Sequence, residues 1–258
     1  AITGETPNLA ARLQEIAGEN AVMIAESTFR IAGAIFECAD TGMRELKGFA
    51  VPVRSWRVVR PRRAESRFDA MHTYRLTELT GRDEELEILL RRWHRAKQGE
   101  GQVVLIAGEP GIGKSRLVGA LQERIVDEPH TPVRLQCSPL YSNSALHPWI
   151  DQLDRLAGLA PGDSVATKLE KLEALLRLSG GDDTEALALV ATLLSIPTEG
   201  RLPPLAHSPV ELKRRTLTLL VGRLTQLAAL RPVLVVLEDA HWIDPTTQEL
   251  IANLVDRL

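Results

Sequence analysis

One run, Gly108-Glu109-Pro110-Gly111-Ile112-Gly113-Lys114-Ser115, constrains the chain more than any other segment. It follows the pattern G-x-x-x-x-G-K-[ST]. Gln102-Val-Val-Leu-Ile-Ala107 before it reads as a short buried strand, and Arg116-Leu-Val-Gly-Ala-Leu-Gln-Glu-Arg124 after it as an amphipathic helix. In that context the glycines let successive backbone N–H groups curl around a polyphosphate, and the helix start adds the positive end of its dipole. Lys114 supplies a charge for the β- and γ-phosphates, the Ser115 hydroxyl is a natural Mg²⁺ ligand, and Arg116 lies at the helix start. A glycine-rich strand-to-helix turn with no ligand is the plainer reading, and the flanking pattern disfavours it.

A second segment supports the first. Arg231-Pro-Val-Leu-Val-Val-Leu-Glu238-Asp239 is an apolar strand ending in two carboxylates. Strands of a parallel sheet read as continuous Val/Leu runs, and ligands sit at their carboxyl ends. One carboxylate there can hold Mg²⁺ and the other can polarise a water that attacks the γ-phosphate. The sequence leaves open which of Glu238 and Asp239 does which. His241-Trp242, just beyond, suits either sensing of the γ-phosphate or packing.

Together with Leu234–Asp239 and Ala240-His241-Trp242-Ile-Asp244-Pro245, the loop at Gly108–Ser115 resembles the signal-transduction ATPases with numerous domains, a branch of the AAA+-like P-loop NTPases. Leu79-Thr-Gly81-Arg82-Asp-Glu-Glu85-Leu86 resembles the entry segment of that group, whose turn lies near the adenine. The resemblance covers roughly residues 77–258 and implies an ATP and Mg²⁺ site. It also implies a nucleotide-dependent switch, with slow hydrolysis coupled to assembly. Glu238 stands where the wider family more often has Asp.

The front of the chain carries another pattern. Gly4-Glu-Thr-Pro-Asn8-Leu-Ala-Ala-Arg12-Leu13 puts an amide and a guanidinium four residues apart on one helix face, with Asn8 placed to cap the helix. Such a pair can orient a ribose and stabilise charge on a phosphoryl group. The segment resembles the C-terminal part of class III nucleotidyl cyclases, with Asn8 and Arg12 on their Asn-x-x-x-Arg motif and Glu45-Leu-Lys-Gly48-Phe on their closing turn. The two metal-binding aspartates of that family would lie upstream of residue 1, and its active sites form between paired domains. Cyclic nucleotide synthesis is therefore not expected from this chain by itself.

Composition sets the remaining limits. The 258 residues are 44% hydrophobic and 25% charged, with a net charge of −3. That suits a globular protein with no general attraction to nucleic acid or anionic membranes. No apolar run approaches the ~20 residues of a membrane span. Cys38 and Cys137 lie far apart and read as buried free thiols in a reducing cytoplasm. Between Arg54 and Arg67 six arginines face one glutamate, which reads as a solvated linker. Ala21–Ala25 and Leu46–Val59 suggest strands, the latter after a turn, and Glu84–Lys97 a helix with Leu86, Leu89, Leu90 and Trp93 on one face. Pro132–Cys137 reads as a strand, and residues 145–230 as mostly helical.

The expected fold is α/β: a P-loop NTPase parallel sheet with a large helical portion, preceded by a partial α+β cyclase-like segment. The expected domains are residues 1–59 (cyclase-like), 60–76 (linker) and 77–258 (ATPase, truncated at its C-terminus). Three functions fit: an ATPase switch in a signalling protein, a regulatory domain of a parent adenylate cyclase, and a non-hydrolysing module. Protein partners or self-association through either domain are expected, with no membrane contact.

Overall fold

A computed structural model describes residues 4–32, 36–61, 80–178, 183–198 and 200–258. The chain divides into two compact units, Ala1–Glu78 and Leu79–Leu258. The expected linker begins two residues too early, because strand pairing continues to Pro61; from residue 62 on, it lies outside the described residues.

The first unit runs α1 (Glu5–Ile16), β1 (Val22–Ala25), α2 (Glu26–Ala32), β2 (Phe36–Arg44) and β3 (Val53–Pro61). Its sheet is antiparallel in the order β1-β3-β2. Leu13 of α1, Ala25 of β1 and Leu46 form a small core, with Leu9, Met23, Phe49 and Val53 against it. The turn that buries Leu46 closes with a hydrogen bond from Phe49 N to Leu46 O of 3.1 Å. Gly48 takes φ 90° there, a conformation that disfavours any residue with a Cβ. Phe29 of α2 stacks on Trp56 of β3 at 3.7 Å between ring centroids, and the Trp56 indole N–H donates to Glu26.

Two expectations fail in this unit. The helix starts at Glu5, with Gly4 at its N-cap, so Asn8 sits a turn inside and caps nothing. Cys38 is only half-buried, because β2 is an outer strand of its sheet.

The second unit runs α3 (Asp83–Lys97), α4 (Lys114–Arg124), β4 (Thr131–Gln136), a 3₁₀ turn (Pro139–Tyr141) and α5 (His147–Leu156). It continues with α6 (Val165–Arg177), α7 (Thr184–Leu193), α8 (Pro209–Leu230), β5 (Val233–Glu238), a second 3₁₀ turn (Ala240–Trp242) and α9 (Pro245–Val255). Ser164, Asp183, Ser208 and Asp244 each cap the helix that follows through the side chain, two of them ahead of a proline at the first helical position.

β4 and β5 pair in parallel, with Val133 opposite Val235 and Gln136 opposite Glu238. The pair packs against Trp149 of α5, Leu217, Leu220, Val221 and Leu224 of α8, and Leu250 of α9. A second cluster joins α6 to α7, where every residue from Ala186 to Ala191 is buried. A third joins Leu86, Leu89 and Trp93 of α3 to Leu117, Ala120 and Leu121 of α4. The parallel arrangement and the helix-rich middle follow the sequence expectation.

The segment Gln102–Ala107 does not. It pairs with no described strand, and Val103, Val104 and Leu105 are 64%, 44% and 85% exposed. Its composition suits a buried strand, but burial requires strands on both sides, and the described sheet of this unit holds only β4 and β5. Ile106 turns inward, onto the α3–α4 cluster.

Candidate functional site

The site is assembled by a crossover. From Arg124 the chain turns through residues 125–130 into β4, and Leu234 of β5 packs on the α3–α4 cluster. A helix that leads by a short turn into a strand it lies beside runs antiparallel to that strand. The amino end of α4 therefore lies toward the carboxyl ends of β4 and β5, where ligands collect in open α/β sheets. By that topology the start of α4 and the end of β5 face the same end of the unit, which is the arrangement that a site shared by Gly108–Ser115 and Glu238–Asp239 requires.

At that end Gly113 forms the N-cap of α4 with φ 97°, and Gly111 has φ 79°. Both conformations belong to the left-handed region that L side chains rarely adopt. A Cβ at either position would meet nothing within 4 Å, so the glycines serve backbone conformation and leave open space over the loop. The first N–H groups of α4 have no partner within the helix and face that space. Lys114 Nζ donates to Gly108 O and Glu109 O, both at 2.8 Å, which folds the lysine over its own loop. Ser115, half-buried, is the second residue of the helix. Arg116 is turned along α4 to Glu123, at 3.1 Å.

β5 ends in Glu238, and Asp239 follows with φ 53° and ψ 41°. That left-handed backbone is strained for most residues and tolerated by Asp. The Asp239 carboxylate accepts a 2.9 Å hydrogen bond from Gln136 Nε2, the last residue of β4. Gln136 escaped the sequence reading, because its place beside Glu238 comes from strand register, which a single glutamine does not signal.

The residues present fit a nucleotide polyphosphate and Mg²⁺. The loop offers backbone N–H groups at the start of a helix, an ammonium and a hydroxyl, and the strand end offers two carboxylates. Mg²⁺ is held by one or two protein oxygens together with phosphates and waters, so this donor set suffices.

Other expected residues take different places. Gly81 (φ 72°) and Arg82 open α3, with Arg82 paired to Glu85 at 2.7 Å. Asn8 is exposed, and Arg12 pairs with Glu15 at 2.5 Å; both lie in the first unit. Trp242 is 42% exposed and His241 is also exposed, so neither is packed under the loop.

Asp244, within the motif quoted from the sequence, is structural. It is 2% exposed and accepts from Leu146 N (3.1 Å), Thr246 N (3.1 Å), Thr247 N (2.9 Å) and the Thr247 hydroxyl (2.5 Å). Its sequence signal was the Asp-Pro pair that opens a helix.

Cys137, next to Gln136, is buried, and burial pushes its thiol up to about 11, with the charges of Asp244 and Asp239 adding to the effect. The thiolate is the reactive form, so Cys137 is expected to be alkylated at least ~100-fold more slowly than an ordinary thiol at neutral pH. Iodoacetamide labelling of the native chain followed by peptide mass mapping checks this. The half-buried Cys38 labels first.

Comparison with known proteins adds family evidence. The profile described as the AAA ATPase domain matches residues 78–258. An uncharacterized protein of Rhizobium meliloti (strain 1021) is 31% identical over 252 residues, which cover 98% of this chain and 24% of that protein. The chain thus spans about a quarter of that relative's length. No solved structure matches.

Proposed function

Because the chain belongs to the AAA ATPase domain family through residues 78–258, we propose that its second unit binds Mg-ATP at the amino end of α4 and acts as a nucleotide-dependent switch. The observations that support this reading are the glycine loop at the amino end of α4 and the parallel pairing of β4 with β5, whose carboxyl end carries Glu238 and Asp239. The backbone N–H groups of the loop cradle the phosphates. Lys114 exchanges its two carbonyl partners for phosphate oxygens, a charge-assisted interaction that is stronger than the bonds it replaces. Ser115 and one of Glu238 and Asp239 hold Mg²⁺, and the other carboxylate orients the attacking water. Bound Mg²⁺ neutralises charge on the β- and γ-phosphates. Gly81 and Arg82 lie in the segment proposed to meet the adenine.

Within the family, the reading extends to the signal-transduction branch, in which ATP state governs assembly with protein partners or further copies. Support comes from the motif spacing and from the long helical stretch between β4 and β5. We read the first unit as the closing part of a class III cyclase domain. Its helix carrying Asn8 and Arg12, its antiparallel sheet and its Leu46–Phe49 turn are what that reading requires. The whole protein is then a cytoplasmic signalling protein, in which the ATPase unit regulates a cyclase or a relic of one. Reading the codons ahead of residue 1 for two aspartates at strand ends separates those cases.

The test is direct measurement of ATP affinity and phosphate release by the purified chain. Binding with slow release supports the switch, tight binding with no release identifies a non-hydrolysing module, and absence of binding overturns the proposal.

A further inference from the structure

The side chain of Gln136 links the end of β4 to the carboxylate that follows β5. Its Nε2 donates to two acceptors, Asp239 Oδ2 at 2.9 Å and Cys137 O at 3.1 Å. Both partners accept only, which fixes the orientation of the amide, since the reverse orientation would set Oε1 against two oxygens. Oε1 is then buried and meets no donor among the described residues. A buried acceptor without a donor costs about 1–3 kcal/mol, so such atoms are commonly served by bound water.

Three features coincide here. The register sets Gln136 directly opposite Glu238. Asp239 adopts the left-handed backbone, φ 53°, with its carboxylate on Gln136. The orphaned oxygen belongs to the same amide that holds that carboxylate.

We infer that Gln136 is a positioning residue for the metal half of the site: Nε2 fixes the Asp239 carboxylate, and Oε1 accepts a hydrogen bond from a water in the shell of the bound cation. This rests on the proposed Mg-ATP reading and deepens it. Outer-shell partners of this kind orient ligands, and their removal typically costs 10–100-fold in metal affinity. Gln136 makes no contribution to phosphate binding by the loop, so its effect appears only when the cation is present.

The experiment measures the affinity of the full chain for a fluorescent ATP analogue with Mg²⁺ and with EDTA. Gln136→Met keeps the length of the side chain and removes both polar functions. It is expected to leave affinity in EDTA unchanged and to lower the Mg²⁺-dependent gain about tenfold. Gln136→Asn, whose amide falls one methylene short of Asp239, should show the same loss and guards against a folding defect in the first variant. In the double variant with Asp239→Asn, the loss from Gln136→Met should be smaller than in the wild-type background, because part of its effect passes through that carboxylate. An unchanged Mg²⁺-dependent gain, or an equal fall in EDTA, overturns the inference and leaves ATP binding standing. A wild-type chain that binds no nucleotide overturns both.

Discussion

Lys114→Ala is expected to weaken ATP binding by about 100-fold while leaving the fold intact. Lys114 is half-buried at the first position of α4, and among the described residues its ammonium donates to two carbonyls of its own loop, each at 2.8 Å. Those bonds hold the lysine over the space that the glycines keep open, and in the proposed mode they are exchanged for phosphate oxygens when nucleotide binds. Hydrogen bonds to a charged group contribute about 1.5–3 kcal/mol each, and tenfold in affinity corresponds to about 1.4 kcal/mol. A hundredfold loss follows from one or two such bonds. The alanine removes no core contact, so the melting temperature without nucleotide should stay within about 2 °C of wild type. Titration of the fluorescent analogue into both proteins reads the effect. Equal affinity in the two would remove the loop from the site.

Asp244→Ala is expected to give the largest loss of stability, about 3–5 kcal/mol, with no direct effect on nucleotide contacts. The carboxylate is 2% exposed and receives four hydrogen bonds. Three come from the first turn of α9, two of them from backbone N–H groups in an N-cap interaction worth about 1–2 kcal/mol. The fourth comes from Leu146, whose backbone takes φ 58° at the N-cap of α5. That bond ties the start of α5 to the start of α9. Alanine leaves these buried donors without a partner, at about 1–3 kcal/mol each, partly relieved by water. For a unit of this size each kcal/mol moves the melting temperature by roughly 2–4 °C, so a fall of about 6–20 °C is expected. Asp244→Asn retains an acceptor oxygen and should recover part of the loss. Thermal denaturation of the three proteins decides the matter. A change below 2 °C for the alanine would contradict the structural role.

The two segments of the proposed site were legible in the sequence because each is locally complete. Gly108–Ser115 specifies its own turn through glycine backbone freedom, and Val233–Glu238 specifies a strand through an unbroken apolar run with acids at its end. The α3 stripe was legible for a similar reason: Leu86, Leu89 and Trp93 recur at helical spacing and lie buried together. Properties set by neighbours were not legible. Gln102–Ala107 has the composition of a buried strand, yet its exposure depends on what lies beside it. β2 escaped notice because Phe36–Arg44 mixes acids, glycine and threonine without clean alternation, and its register shifts at Glu37/Cys38 and Asp40/Gly42. Gln136 gained its place from register alone. Asp244 was read as part of a motif, whereas its Asp-Pro pair already marked a helix start.

The family match covers the second unit, and that unit also contains both halves of the proposed site. The central claim is that the two halves form one Mg-nucleotide site. Replacing Mg²⁺ by paramagnetic Mn²⁺ in the presence of ADP, and recording backbone amide NMR spectra of the full chain, tests it most directly. The account predicts that broadening reaches Lys114 and Ser115 at the start of α4 and also Glu238 and Asp239 at the end of β5, with α6 and α7 unaffected. Broadening confined to the loop, with Glu238 and Asp239 unchanged, would contradict it.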